Sequence, residues 1–297
     1  MKNKWLWLAL IIAGIVFIFF MATVFIIAFA TDGDMFPALG EGIGLIEVKG
    51  VILDSEETIK QLSELKKNDR VKAVVLRIDS PGGVVGPSQE IYAEVKKLGA
   101  KKKVVVSMGS LAASGGYYIA APAVMIMANP GTITGSIGVL MKFSNIEGLM
   151  DKVGMKAFTL KTGSYKDAGS PTRPMTDQDK AMLQNVIDNA HSQFVKAVAD
   201  GRKLPLEEVR KIADGRILTG EQALALKLID KIGTLQDAIE EAARMAGIKE
   251  EPQVIRPARK KHLLLDMLVE ESASRISELV KKENGFSLNY ELEGVMR

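Results

Sequence analysis

A serine set among small residues is the first place in this sequence where chemistry could occur. Gly109-Ser110-Leu111-Ala112-Ala113-Ser114-Gly115-Gly116-Tyr117-Tyr118 follows an apolar run at 104–108 that reads as a strand. Small neighbours leave the Ser114 hydroxyl accessible. A helix starting just after it would turn free N–H groups and the positive end of its dipole toward developing negative charge. The arrangement echoes the Gly-x-Ser-x-Gly nucleophile elbow, with Ala112 replacing the first glycine. The same residues also suit a plain helix cap. A second segment, Asp79-Ser80-Pro81-Gly82-Gly83, closes another strand. Its glycine pair either makes an ordinary tight turn or lets the backbone approach a ligand, with unshielded N–H groups able to hold an oxyanion.

A serine nucleophile needs a base. The chain has no cysteine and two histidines, His191 and His262. His191 falls in the middle of a long helical pattern and His262 in a basic tail, so both read as surface residues and a Ser-His-Asp triad is poorly supported. Lysine can replace histidine if its ammonium is desolvated enough to lose its proton near neutral pH. Most lysines here sit on solvated helix faces. Lys166 differs, lying in the Gly/Ser-rich loop Thr162-Gly163-Ser164-Tyr165-Lys166-Asp167 between a strand and a helix. A close Asp167 carboxylate would favour the charged ammonium, so it is expected to point away. Without cysteine there is no disulfide, no thiol nucleophile and no thiolate metal site. A net charge of +3 over 297 residues offers no concentrated basic face for nucleic acid.

The elements that must position these residues alternate. Strands are expected at 43–48, 71–78, 104–108, 123–127 and 156–161. Helices are expected from Asp54 or Ser55 to about 67, at 88–98 closed by Gly99, after Ser114, at 144–153 closed by Gly154, from a Thr176/Asp179 capping box to about 200 with Gly201 as the stop, and at 206–213 behind Pro205. Such alternation, with apolar strands, argues an α/β domain with a mainly parallel sheet.

Residues 5–30 carry no charge, with Lys2 and Lys4 before them and Asp32 and Asp34 after. The run is long enough to cross the ~30 Å hydrocarbon core. It exceeds the ~7–15 residues of a signal-peptide h-region, so it is expected to be an uncleaved anchor although Ala28-Phe29-Ala30 resembles a cleavage site. The charge bias puts the N-terminus in the cytoplasm and everything after Thr31 outside. The expected organisation is therefore an anchor at 1–30, a tether at 31–42, a catalytic domain at 43–250 and a basic, amphipathic tail at 251–297. The stretch 263–280 in that tail reads as a surface or subunit-contact helix, with a membrane-surface helix or a regulatory tail as alternatives.

Five ordered motifs together resemble the short, single-domain form of the signal peptide peptidase A family. They are Asp79 to Gly83, Met108 to Ala120, Thr134-Gly135-Ser136-Ile137-Gly138, the pair Ser164-Tyr165-Lys166-Asp167 and Ser170-Pro171-Thr172-Arg173, and the run Ala213 to Leu224. The resemblance spans roughly 43–246. It implies a ClpP/crotonase-like fold of repeated ββα/βαβ units and a serine endopeptidase with Ser114 as nucleophile and Lys166 as general base. It also implies Ser136 as the residue that orients the lysine amine, and the backbone N–H groups of Gly83 and Gly115 as the oxyanion hole. No cofactor and no metal are implied. The implied partners are extended peptides, chiefly apolar signal peptides left in the membrane, and further copies of the chain in a ring or dome. The dyad is completed either within one chain or across a subunit boundary. A crotonase-type acyl-CoA enzyme and a non-catalytic membrane scaffold are the competing readings.

Overall fold

An eight-stranded sheet carries the molecule from residue 42 onward. The computed structural model describes residues 4–30, 40–257 and 289–291, the last three by their backbone. In chain order the elements after the N-terminal helix are β1 (Gly42–Lys49), α2 (Glu56–Lys67), β2 (Val71–Ser80), β3 (Gly82–Val84), α3 (Val85–Gly99), β4 (Lys103–Ala113), α4 (Gly115–Ala120), β5 (Met125–Ala128), β6 (Ile133–Gly135), α5 (Glu147–Lys152) and α6 (Asp177–Arg202). Then come α7 (Leu206–Ile212), β7 (Ile217–Leu218), α8 (Gly220–Ala225), β8 (Lys231–Ile232), α9 (Leu235–Ala246), β9 (Gln253–Ile255) and β10 (Asn289–Glu291). The main sheet runs β7-β6-β4-β2-β1-β9, with β5 between β4 and β8. Every pair in it is parallel except β6 with β7. β10 pairs with β3 in a separate two-stranded sheet.

Alternating side chains explain why the central strands are apolar throughout. Ile43 and Leu45 of β1, Ala73 and Val75 of β2 and Val105 of β4 face one way, onto Ala238, Ile239, Ala242 and Ala243 of α9. Ile46, Val74, Leu76, Ile78, Val104 and Val106 face the other way, into a core shared with α2, α3, α4 and α6. Both faces of the sheet are covered, as a parallel sheet requires.

The N-terminal helix α1 (Lys4–Ala30) is 27 residues long and belongs to a unit, Met1–Glu41, separate from Gly42–Arg297. Its described side chains, Trp5, Trp7 and 12–23, are exposed. Among the described residues no helix is long and apolar enough to cross a membrane. Residues 31–39 of the expected tether at 31–42, His262 and the amphipathic stretch at 263–280 lie outside the described residues.

Several elements differ from expectation for identifiable reasons. The strand expected at 156–161 is irregular chain, and Phe158 is 87% exposed with Leu160 beside it fully so. Strand backbone needs a neighbouring edge to pair with, and among the described residues none lies alongside. The helix expected at 144–153 shrinks to α5, although Gly154 closes it at φ 74°. The Thr176/Asp179 capping box forms, but α6 passes Gly201 and stops at Lys203 in the left-handed region. Gly201 serves packing instead: a Cβ there would lie 2.2 Å from the Ala121 carbonyl oxygen. Ser55 stands at the N-cap of α2 without capping it, since its hydroxyl donates to Glu90. β4 runs five residues past its expected end, to the residue before Ser114.

Candidate active site

The long β4 delivers Ser114 to the site. Its first half pairs with β5 at 105–107 and its second half with β6 at 111–113. The change of partner follows Gly109, where β4 also slips register against β2. Asp79 accepts the Leu111 N–H at 3.1 Å, and the Thr132 hydroxyl donates to the Gly109 carbonyl at 2.7 Å. A Cβ on Gly109 would sit 2.9 Å from the Asp79 carboxyl carbon, so only glycine lets the two chains close here. Asp79 and Thr132 are positioning residues that motif reading did not single out. Their signal, an acidic residue and a threonine near strand ends, is common in loops.

Ser114 itself is the hinge between β4 and α4, with φ 54° and ψ −118°. A non-glycine residue in that region costs ~1–2 kcal/mol and persists only when its surroundings impose it. The Ser114 N–H donates to the Gly135 carbonyl at 2.8 Å, and Tyr118 N–H returns to the Ser114 carbonyl at 2.8 Å. α4 is anchored from behind. The Tyr117 hydroxyl donates to the Leu228 carbonyl at 2.7 Å, and Tyr118 packs against Tyr92 and Phe194. Burial pushes the Tyr118 phenol up to about 12 and Tyr117 higher still, so both remain neutral. Ser114 is 1% exposed, and its Oγ is buried without a hydrogen-bond partner.

The two glycine segments meet beside it. A Cβ placed on Gly115 would lie 3.1 Å from the Gly83 nitrogen and 2.7 Å from the Ser88 hydroxyl. A Cβ on Gly83 would lie 2.1 Å from the Ile52 carbonyl oxygen. The Ile52 N–H donates to the Gly82 carbonyl at 2.8 Å, and the Ile52 carbonyl accepts from the Val84 N–H at 2.8 Å. Strand alternation then turns the N–H and C=O of Gly83 to the opposite edge of β3. Ser114 and Ser136 each follow the Ala113–Gly135 register pair by one residue, at the same end of adjoining strands. Ser136 is buried, with φ 50°, and its N–H donates to the Arg216 carbonyl at 2.8 Å. Ser114, Gly83, Gly115 and Ser136 are thus brought together.

Lys166 is not brought to them within the chain. Its side chain is exposed, and among the described residues no group hydrogen-bonds Ser114 Oγ. It lies in a segment, 142–175, that also displays Leu149, Val153, Met155, Phe158 and Leu160 to solvent. Asp167 is turned to other cations: it accepts from Arg173 Nε at 2.9 Å and Nη2 at 2.8 Å, and from Lys161. Those partners hold its carboxyl well below the usual range. Arg173 reaches on to Asp179 at 2.7 Å, tying the Lys166 loop to the start of α6 and lowering Asp179 to about 2. Arg173 carries a role that its motif alone did not reveal. Depressed carboxylates contribute stability above their unfolded pKa of about 3.9, and lose it as pH falls through the folded value. Arg173→Ala is expected to melt a few degrees below the parent at neutral pH, and the gap should close as pH falls from about 4 toward 2. A gap constant over that range, followed by circular dichroism, would refute this linkage.

His191, expected on the surface, is half-buried, with Nε2 2.8 Å from the Ala213 carbonyl oxygen. It lines a cleft of about 460 Å³ together with Ser136, Leu140, Ile187, Asp188 and Asp214. Among the described residues no group of His, Asp and Glu is placed to hold a metal.

Sequence comparison decides the family. The model of peptidase family S49 matches residues 96–249, and that of Clp protease matches 49–132. The chain belongs to peptidase family S49. It is therefore an enzyme of the serine peptidase class, and its mostly parallel α/β architecture agrees with a ClpP-like fold. It is 47% identical over 208 residues to a Synechocystis protein that bears a protease name, covering 69% of this chain and 75% of that one. It is 38% identical over 221 residues to Protease 4 of Salmonella typhi, covering 71% of this chain and 36% of that one. Identity to the chloroplastic serine protease SPPA of Arabidopsis thaliana is 34% over 206 residues, covering 69% and 30%. The chain thus spans about a third of the length of the last two.

Proposed function

We propose that the chain is a membrane-anchored endopeptidase that degrades signal peptide remnants with a Ser114/Lys166 dyad completed between subunits. The single observation that carries the reading is the Ser114 hydroxyl, buried and without a partner among the described residues at a strained strand-to-helix hinge, where the next residue, Gly115, abuts Gly83. An unprotonated Lys166 amine takes the Ser114 proton, and the alkoxide attacks a peptide carbonyl. Gly83 and Gly115 N–H groups hold the oxyanion, each worth a few kcal/mol by the usual scale of such donors. The resulting ammonium gives its proton to the leaving amine. The same lysine then activates the water that releases the acyl-enzyme. Ser136, at the same end of the adjoining strand, orients the amine.

A second copy as donor of Lys166 is supported by the exposure of the lysine and by the apolar side chains around it. Isolated exposed apolar residues are normal, but a cluster of them marks a contact surface. The cleft beside Ser136 supplies room for an incoming side chain. Signal-peptide substrates follow from the family resemblance, as does an extended apolar chain added along β3. Hydrolysis of a synthetic signal peptide by the parent, Ser114→Ala and Lys166→Ala proteins is the test.

Anchoring is supported by the composition of α1. A helix of 27 residues extends ~40 Å, and Lys4 is its one charged residue. Lys2 and Lys4 place the N-terminus in the cytoplasm and the catalytic domain outside. The full chain is expected to stay in membranes washed with alkaline carbonate, and a chain lacking 1–30 to appear in the wash. Release of the full chain by carbonate would remove the anchor from this reading.

A further inference from the structure

We infer that His191 is a positioning residue for the catalytic site: from α6 it holds the turn at 213–216 that sets the backbone of Ser136. The inference rests on the proposed role of Ser136 in orienting the Lys166 amine. His191 Nε2 lies 2.8 Å from the Ala213 carbonyl oxygen. A carbonyl can only accept, so a proton sits on Nε2 and the imidazole donates. Ala213 closes α7, where helix carbonyls lack a partner within the helix. The turn that follows reaches Ser136 within three residues. Gly215 N–H donates to the Ile137 carbonyl at 3.2 Å, and Ser136 N–H donates to the Arg216 carbonyl at 2.8 Å. Beyond it, Ile217 and Leu218 pair with Gly135 and Thr134. Asp214 stiffens the turn by accepting from the Arg216 N–H at 3.1 Å and from Arg216 Nε at 2.8 Å. The fit is close: a Cβ on Gly138 would lie 3.3 Å from Gly215 Cα.

A second set of contacts makes α6 a common reference for both serines. Phe194 lies three residues after His191 and so on the same side of the helix. It packs against Tyr118 of α4 with ring centroids 4.8 Å apart, and α4 begins one residue after Ser114. Phe194, Val195 and Val198 are buried, which fixes this part of α6 in the core. One turn of α6 thus bears on the nucleophile through Phe194 and on Ser136 through His191. Ser136 needs that support, because a serine keeps φ 50° only when its surroundings impose it. The imidazole is half-buried and lines the same cleft as Ser136. Water in the cleft can reach the Ala213 carbonyl once the imidazole is gone, so its loss loosens the turn and leaves the fold standing. A mere cap on α7 would leave catalysis untouched; a brace for Ser136 would not.

The test uses the full chain in detergent and a fluorogenic extended peptide. His191→Phe keeps a planar ring and removes the donor. It is expected to lower kcat about ten- to a hundredfold with KM within about twofold. His191→Gln, whose amide can donate in place of Nε2, should recover most of that loss. The acid limb of the pH profile of kcat/KM should move in the same direction in His191→Phe as in Ser136→Ala. The double variant should be no slower than Ser136→Ala alone, because both losses act through one hydroxyl. Hydrogen exchange at the Ser136 and Gly215 N–H groups should quicken in His191→Phe, with residues 73–76 of β2 unchanged. His191→Ala is read in the same way if the cleft does not admit phenylalanine. Unchanged exchange at 136 and 215 overturns the brace, whichever residues are catalytic. Faster exchange with parental kcat and an unmoved pH limb overturns its bearing on catalysis, as does a double variant whose losses multiply. Parental activity in Ser136→Ala falls instead on the role given to Ser136, and the exchange data still decide the brace.

Discussion

Ser114→Ala and Lys166→Ala are each expected to lower peptide hydrolysis by at least about 10³-fold, while the two proteins stay folded for opposite structural reasons. Ser114 is buried, but its Oγ makes no hydrogen bond. A buried hydroxyl without a partner opposes folding by ~1–3 kcal/mol. Its removal should leave the melting temperature unchanged or raise it, and alanine at φ 54° bears no more strain than serine. Lys166 is exposed, so its truncation should move stability by no more than ~0.5 kcal/mol. Loss of activity with stability held or gained separates a catalytic role from a structural one. Lys166→Arg should be as inactive as Lys166→Ala, because a guanidinium stays protonated and cannot act as a base. Turnover near the parent rate in purified Lys166→Ala would remove the lysine from the mechanism.

The scaffold was legible where a local physical rule decides it. Buried β-branched runs gave the parallel strands, since both sheet faces are covered. The Thr176/Asp179 pair gave the start of α6, because a capping box needs only residues three apart. The hinge at Ser114 was legible because a strand, small residues and a helix start coincide. What depends on distant partners was not. Residues 156–161 have strand composition but, among the described residues, no edge to pair with. Gly201 resembles a helix stop, yet a carbonyl of another segment requires its missing side chain. The split of β4 between β5 and β6 depends on Asp79 of β2 and Thr132, just before β6, reaching one kink. Arg173 showed no role until Asp167 and Asp179 were seen on either side of it. The pairing of β10 with β3 joins segments about 200 residues apart, and no periodicity in either reveals it.

Two dead variants are expected to restore each other. If Lys166 reaches Ser114 only across a subunit boundary, a site needs Ser114 from one chain and Lys166 from its neighbour. Ser114→Ala and Lys166→Ala chains, co-expressed in equal amounts with different tags and purified through both, form mixed assemblies. Random placement puts an intact Ser114 beside an intact Lys166 at about a quarter of the sites, because the contact is repeated by symmetry. Specific activity should therefore recover to about a quarter of the parent value, against a background at least about 10³-fold lower for either variant alone. A dyad closed within one chain predicts no recovery, since every chain then lacks one of its two groups. The structure makes the first outcome the expected one. Ser114 Oγ has no partner among the described residues, while Lys166 stands exposed on a segment whose apolar side chains face solvent. That segment is also tied, through Asp167 and Arg173, to the first turn of α6. Docking onto a neighbour keeps that network whole and buries the apolar surface as well.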